Sequence, residues 1–422
     1  MNIKLKKYKG LDLSSLLLLL IPIFLITGPF LPDLSLVIIG IIFLYNLITL
    51  KKINLFNNNF FKFFIFFYIF ILISLFFSEY FLYSLKPSIS YIRFGLFAMA
   101  TSILFSLRNE NIVYLVKIFL GILLVLTLDS LIQYFFNSNL LGWRMEDANF
   151  RITSLFGDDE VLGSYIARLF PFFLSLLLFA RKKLGFNFDD YILYLVLLAS
   201  IIICFISGER TSFFLILIST IIILFTCSSL RKVILLSLTF AIIIIGTLLI
   251  VDKRINNRML DFTVKQMGLS SSSERIVIFS EIYEGHYKIA LNMFKEKPLI
   301  GHGVKSFRKY CIKKENYVAE NACTTHPHNV YMQLLAETGI ISFLIIFSLF
   351  VILSFKLIQI SYKTLITKNN KIEDYQTLIY IFYTINLFPL APSGNFFNNW
   401  LSIIYYLPSG YLIFLHNPNK ND

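Results

Sequence analysis

The sequence predicts an all-α polytopic membrane protein of about twelve transmembrane helices, with a large helical loop between the ninth and the tenth. Three observations predict it. First, 57% of the residues are apolar, 17% are aromatic and the mean hydropathy is +0.73, against about 45–50% apolar in a soluble domain. One soluble core does not hold such an excess, and lipid is the solvent that accepts it. Second, runs of about 17–20 apolar residues recur, each long enough for a hydrocarbon core of about 30 Å. Each span must be a helix, because lipid offers no partner for open backbone groups. Third, the basic residues sit mainly in short segments between these runs, where they orient a membrane protein. That distribution turns the net charge of +13 away from nucleic acid.

In chain order the expected spans are 13–30, 34–50, 60–77, 88–105, 112–135, 161–179, 191–206, 212–227, 233–251, 340–355, 376–389 and 400–415. Lys4, Lys6, Lys7 and Lys9 before the first span resemble a signal peptide, but no small-residue cleavage site follows, so this span is read as retained. With a cytoplasmic N-terminus, the inner segments hold Lys51, Lys52, Arg108, Arg181, Lys182, Lys183, Arg231, Lys232, Lys356, Lys363, Lys368 and Lys371. The short outer segments hold only Lys86, Arg144, Arg151 and Arg210. This registration satisfies the positive-inside rule at almost every loop and puts both termini inside. It divides the chain into spans one to nine (1–251), an outer loop (252–339), and spans ten to twelve with a cytoplasmic tail (340–422).

The outer loop should carry helices. Ser271 and Glu274 fit a capping box. Ile278, Phe279, Ile282, Tyr283, Tyr287, Ala290, Met293 and Phe294 recur at helical spacing, and Pro298 with Gly301 stops the helix. A second helix is expected to begin near Asn329, carry Gln333 and run into the tenth span.

Candidate chemistry begins with arginines that lipid should reject. Arg93 and Arg168 are expected about two turns inside the fourth and sixth spans, in the outer half of the bilayer. A buried arginine costs at least about 2.5–3.5 kcal/mol on insertion scales. It therefore faces a wet anion-holding cavity, or it snorkels or pairs with a carboxylate such as Asp129. Arg210 stands at the N-terminus of an outward helix end, where a cation opposes the helix dipole. That position calls for an anion, a phosphate or simply Glu209. Arg275 repeats the pattern at the loop helix.

Four of the five histidines lie in the loop: His286, His302, His326 and His328. No carboxylate or cysteine stands at convincing ligand spacing beside His326 and His328, so no metal is expected. A general base fits His328 better, since an ordinary histidine titrates near neutrality. Taken alone, a loop histidine is inert. The Gly301-His302-Gly303 turn follows no strand and so is no dinucleotide motif. Lys305, Arg308 and Lys309 read as a solvated basic face. Cys204 and Cys227 read as core residues. Cys311 and Cys323 either stay free or form a disulfide in an oxidising compartment.

At these residues the chain resembles the O-antigen ligase and polymerase superfamily, most sharply over 207–342. SGERT carries Arg210 into an outward helix. SERIVIFSEIYEGHYKIALNMFKEKPLIGHG is an arginine-led loop helix with Arg275, closing on Gly301 and Gly303. HPHNVYMQLLAETGIIS supplies His328 and Asn329, a nine-residue gap, then Gly339 and Ser342. One departure is an aromatic at or near Tyr283, where the family often has tryptophan. The resemblance implies a fold like the membrane glycosyltransferase C class, in a bacterial inner membrane with the loop in the periplasm. It implies an undecaprenyl-pyrophosphate-linked glycan as donor and a lipid A-core or glycan hydroxyl as acceptor. Arg210 and Arg275, with Arg93 or Arg168, would hold the pyrophosphate, and His328 would orient or deprotonate the acceptor. Neither nucleotide sugar, metal nor other cofactor is implied.

Ligase is favoured over repeat-unit polymerase, because the HN-x9-G-x-x-S pattern and single dominant late loop resemble ligases more closely. A protein O-oligosaccharyltransferase usually has an additional C-terminal region. A polysaccharide transporter also fits twelve spans, but transporters gather polar groups at the midplane on broken helices, not at one surface.

Overall fold

The computed structural model describes residues 8–145, 150–267, 280–313, 318 and 322–416. Among these, regular structure is helical apart from one bridge between Ser138 and Arg144. The helices are α1 (Leu11–Phe24), α2 (Phe30–Thr49), α3 (Asn59–Phe76), α4 (Phe81–Ser90), α5 (Ile92–Leu107), α6 (Glu110–Phe136), α7 (Leu162–Leu184), α8 (Asp190–Ile206), α9 (Arg210–Thr226) and α10 (Arg231–Val251). Then come α11 (Lys253–Asn256), a π-helical turn (Asn257–Asp261), α12 (Phe262–Gln266), α13 (Glu281–Glu296), α14 (Phe307–Tyr310), α15 (Val330–Tyr362), α16 (Asp374–Asn386) and α17 (Asn399–Leu415).

The protein is a polytopic membrane protein. Seven helical segments are long and apolar enough to cross a bilayer: Phe30–Thr49, Asn59–Phe76, Phe81–Leu107, Glu110–Phe136, Leu162–Leu184, Ser228–Val251 and Val330–Thr367. Leu11–Phe24, Asp190–Ile206 and Arg210–Thr226 are shorter apolar helices. The last two expected spans coincide with α16, of 13 residues, and α17, of 17.

Most apolar side chains join one core that runs through the helical bundle. α5 packs on α17, α7 on α16, and α15 on α3 and α16. A second, smaller core lies in the late loop, where Ile289, Ala290 and Met293 of α13 meet Phe307, Tyr310 and Ala336. The loop is thus a packed element seated on the head of α15. Cys311 and Cys323 are disulfide-bonded at its edge, with Cα atoms 5.3 Å apart, whereas Cys204 and Cys227 are free and buried.

The fourth span is two helices, because Tyr91 N–H turns back to the Ser88 carbonyl, one residue short of the α-helical partner. Arg93 stands in the first turn of α5, within the long apolar segment Phe81–Leu107. Ile282, one of the apolar residues at helical spacing in the loop, is exposed on α13. As expected, a helix that begins beside Asn329 runs into the tenth span: α15 continues from Val330 across Gly339, where it kinks. The expected capping box at Ser271 and Glu274 lies outside the described residues.

Candidate functional site: a histidine and arginine cluster at the head of α15

The head of α15 is built by a few polar residues. Asn329 caps it, its side chain accepting hydrogen bonds from the N–H groups of Tyr331 (3.0 Å) and Met332 (3.2 Å). Such a cap stabilises a helix by about 1 kcal/mol. The Asn329 amide donates to the Pro389 carbonyl at 2.8 Å. Gln333 accepts from the Phe396 N–H and donates to Asn395, so the connection between α16 and α17 is tied to this helix start.

Gly339 lies inside α15 at φ 78° and ψ −177°. That left-handed backbone is open to glycine at little cost, and a Cβ there would lie 2.3 Å from the Leu299 carbonyl oxygen. The kink frees the backbone of Ala336 and Glu337, and the Gly301–Gly303 turn docks there. His302 N–H donates to the Ala336 carbonyl at 3.1 Å and Gly303 N–H to the Glu337 carbonyl at 2.8 Å. Ile340 N–H returns to the Pro298 carbonyl at 2.9 Å. Gly301, at φ 67°, touches the same peptide: its Cβ would stand 2.4 Å from the Glu337 carbonyl carbon. The buried Glu337 carboxylate then accepts from the N–H groups of Lys305 and Phe307 and from Gln333. The glycines and Asn329 therefore build the frame. Ser342 is buried one turn below the kink, and its hydroxyl meets no hydrogen-bond partner among the described residues.

On this frame three histidines meet. The His328 ring lies 4.1 Å from His326 and 5.3 Å from His286 of α13, centroid to centroid, and Tyr283 stands 5.7 Å from His328. His328 has φ 53°, a strained backbone for a side chain of this size and of the kind held at functional sites. The Ser393 N–H donates to its carbonyl at 2.9 Å. Burial and the neighbouring His286 push the His328 pKa down to about 4. Burial and His328 push His326 down to about 3. Both imidazoles are neutral near pH 7 and can accept a proton or hydrogen bond. The rings pack on one another, and among the described residues no group of three His, Cys, Asp or Glu side chains is arranged to hold a metal ion. His302 is apart from the cluster, its Nε2 2.9 Å from the Met293 carbonyl.

A cluster of arginines gathers where α9 begins. Arg210 opens α9 and donates to Thr263 (3.2 Å) and Gln266 (2.7 Å). Its guanidinium lies 5.4 Å from the Phe262 ring, and that of Arg258 lies 5.6 Å from the same ring. Arg258 donates to the Gly208 carbonyl. Burial, then the charges of Arg151 and Arg210, lower its pKa to about 10, so it is still fully charged at pH 7. Arg151 has Glu160 at 3.4 Å. Neither Arg210 nor Arg258 has a carboxylate partner among the described residues. Glu209, the expected neighbour for Arg210, instead accepts from the N–H groups of Gly163 (2.6 Å) and Ser164 (3.0 Å) at the start of α7. Tyr283, whose ring is 5.7 Å from that of His328, also acts electrostatically on Arg210. Arg151, Arg210 and Arg258 thus repel one another, an effect that Glu160 offsets in part at Arg258.

Residues 194–347 match the family model described as O-antigen ligase. This is a membrane protein with an O-antigen ligase domain. No curated protein matches the chain significantly.

The O-antigen ligase domain contains α9, the arginine pair, α13, the three histidines and the kink of α15. Of the residues singled out in the sequence, the structure joins His328, Asn329, Gly301, Gly303 and Gly339 in one frame, while Arg210 bonds to Thr263 and Gln266. Arg275 lies outside the described residues. Arg93 and Arg168 fall outside the matched segment. Arg93 donates to Asp33 (3.0 Å), the Ser90 carbonyl and Asn399. Its carboxylate partner is thus Asp33, while Asp129 accepts from Leu140 N–H and Ser154. Arg168 is buried in α7 and donates to Asn386, whose amide donates back to the Arg168 carbonyl. Arg258 and His286 were missed. Arg258 did carry a signal, since it follows the outward end of α10 much as Arg210 opens α9.

Proposed function

We propose that the protein transfers a glycan from undecaprenyl pyrophosphate to a lipid A-core hydroxyl at the periplasmic face of a bacterial inner membrane. The observation that supports this reading is a neutral His328 whose neighbour Tyr283, 5.7 Å away, also acts electrostatically on Arg210, an arginine with no carboxylate partner among the described residues. Arg210 and Arg258 bind the pyrophosphate and stabilise the charge that grows on it as the glycosidic bond breaks. Arg275 shares this role on the family pattern. Arg168, buried with a neutral partner, is a further contact, whereas Arg93 is already paired with Asp33. His328 accepts the proton of the attacking hydroxyl. Bound pyrophosphate raises its pKa toward neutrality, because a nearby anion favours the imidazolium. In-line attack inverts the anomeric carbon. The chemistry needs neither a nucleotide sugar nor a metal.

In this reading the chain crosses the bilayer about twelve times in the manner of the membrane glycosyltransferase C class, both termini inside. Segments 1–251 and 340–422 form the membrane body, and 252–339 the periplasmic loop. The Cys311–Cys323 disulfide suits that compartment. A repeat-unit polymerase shares the architecture and is the second reading; a protein O-oligosaccharyltransferase and a polysaccharide transporter are less favoured.

The test is deletion of the gene in its own host, complemented with wild type or His328→Ala, and profiling of lipopolysaccharide and undecaprenyl-linked glycans. Bare lipid A-core with polymer stranded on undecaprenyl pyrophosphate is the expected result for both the deletion and the variant. Core capped by a single repeat unit would assign a polymerase instead. An unchanged profile would contradict the proposal.

A further inference from the structure

A cavity of about 940 Å³ lies among α3, α5, α15, α16 and α17. Its upper end is closed by Leu387 and Phe396, the segment bonded to Tyr331 and Gln333 at the head of α15. Its wall is a face of phenylalanine and tyrosine rings. Its far end differs in character: Lys52, Lys356 and His416 line it, together with Asn54, Asn57 and Asn59 and with Asn58, whose own amide is taken up in capping α3 and bonding the Leu55 carbonyl. Among the lining residues there is no carboxylate. The end is a built one. Lys356 Nζ sits 3.9 Å from the centre of the Tyr380 ring, and the Tyr380 hydroxyl lies 3.0 Å from His416 Nε2. On α15 the lining runs from Ile346 to Lys356, about 15 Å at about 1.5 Å per residue. That is half of a hydrocarbon core of about 30 Å, one leaflet.

We propose that this cavity binds an anionic glycerophospholipid of the leaflet opposite the histidine cluster. The acyl chain lies along the aromatic wall. The phosphate sits at the lysine end, with the amides of Asn54, Asn57 and Asn59 bonding the glycerol and headgroup oxygens. An apolar slot one leaflet deep, ending in cations and amides with no acidic residue, has the shape and charge of such a lipid and the wrong polarity for a soluble anion. The site is separate from Arg210, Arg258 and His328, so its test does not depend on the glycosyl-transfer reading.

The purified full chain in neutral detergent is titrated with dioleoylphosphatidylglycerol, dioleoylphosphatidylcholine and inorganic phosphate, and read by thermal unfolding and native mass spectrometry. Phosphatidylglycerol is expected to raise the unfolding midpoint and stay bound, while the zwitterionic lipid with the same chains and phosphate alone do neither. Lys52→Gln and Lys356→Gln should each weaken phosphatidylglycerol about fivefold, the loss of one lysine's attraction for an anionic lipid surface. Ile413→Trp, which narrows the slot without touching its charges, should abolish binding and provides a second arm if a lysine variant does not fold. Equal binding of the two lipids, a midpoint shift by phosphate alone, or unchanged affinity in the double lysine variant would overturn the proposal.

Discussion

His328 combines a left-handed backbone, a neutral ring and two histidine neighbours, His286 stacked and His326 tilted against it. Its depressed pKa sets a pH signature. The proton-accepting form persists down to about pH 4, so the acid limb of kcat/KM, which reports the free enzyme, should fall well below the ordinary histidine value of about 6.5. Between those values an unfolded chain takes up protons that folded His326 and His328 refuse. The thermal unfolding midpoint should therefore drop as pH is lowered through that window. An acid limb at the ordinary value would remove His328 from the base role. Arg258→Ala should raise the donor KM about 10–100-fold, the loss of about 1.5–3 kcal/mol for a hydrogen bond to a charged group, measured in steady-state transfer. Arg210 stood out in the sequence as a cation at a helix N-terminus, whereas His328 stood out only through the family resemblance, since a loop histidine taken alone is inert. The partnership of Arg258 and Arg210 was not legible: it exists only because folding brings both guanidiniums to the Phe262 ring.

At the scale of the element, the kink in α15 is where the loop and the membrane body join. Gly339→Ala should place a methyl 2.3 Å from the Leu299 carbonyl oxygen on a backbone that costs about 1–3 kcal/mol for such a residue. Its unfolding midpoint should fall, and transfer with it, because the Gly301–Gly303 turn loses its dock. Asn329→Ala should cost about 1 kcal/mol through the lost cap, read in the same unfolding experiment. The start of α15 could be read from the sequence, since an asparagine before an apolar run is a local signal. The break at Tyr91 could not: the run through α4 and α5 is continuously apolar enough to pass for one span. The exposure of Ile282 was likewise hidden, because periodicity gives a face but not what covers it.

For the whole molecule, alternation of charge and apolar runs revealed a polytopic bundle, and helices appear at every expected span. What alternation leaves out is packing: which helices touch, and that the late loop has its own small core. The proposed orientation makes a direct prediction. A reporter active only outside the cytoplasm, inserted at Met267, should be active, and one fused after Tyr362 should not; the reverse pattern would invert the site. The central claim is acceptor-dependent transfer from a lipid pyrophosphate through His328. The most direct measurement reconstitutes wild type and His328→Ala in liposomes with undecaprenyl-pyrophosphate-linked glycan and lipid A-core, and follows both glycosylated acceptor and released undecaprenyl pyrophosphate. Wild type should yield the two products in equal amounts, and the folded variant should be slower by at least about 100-fold, the usual share of general base catalysis. A folded His328→Ala protein that transfers at the wild-type rate would contradict the account.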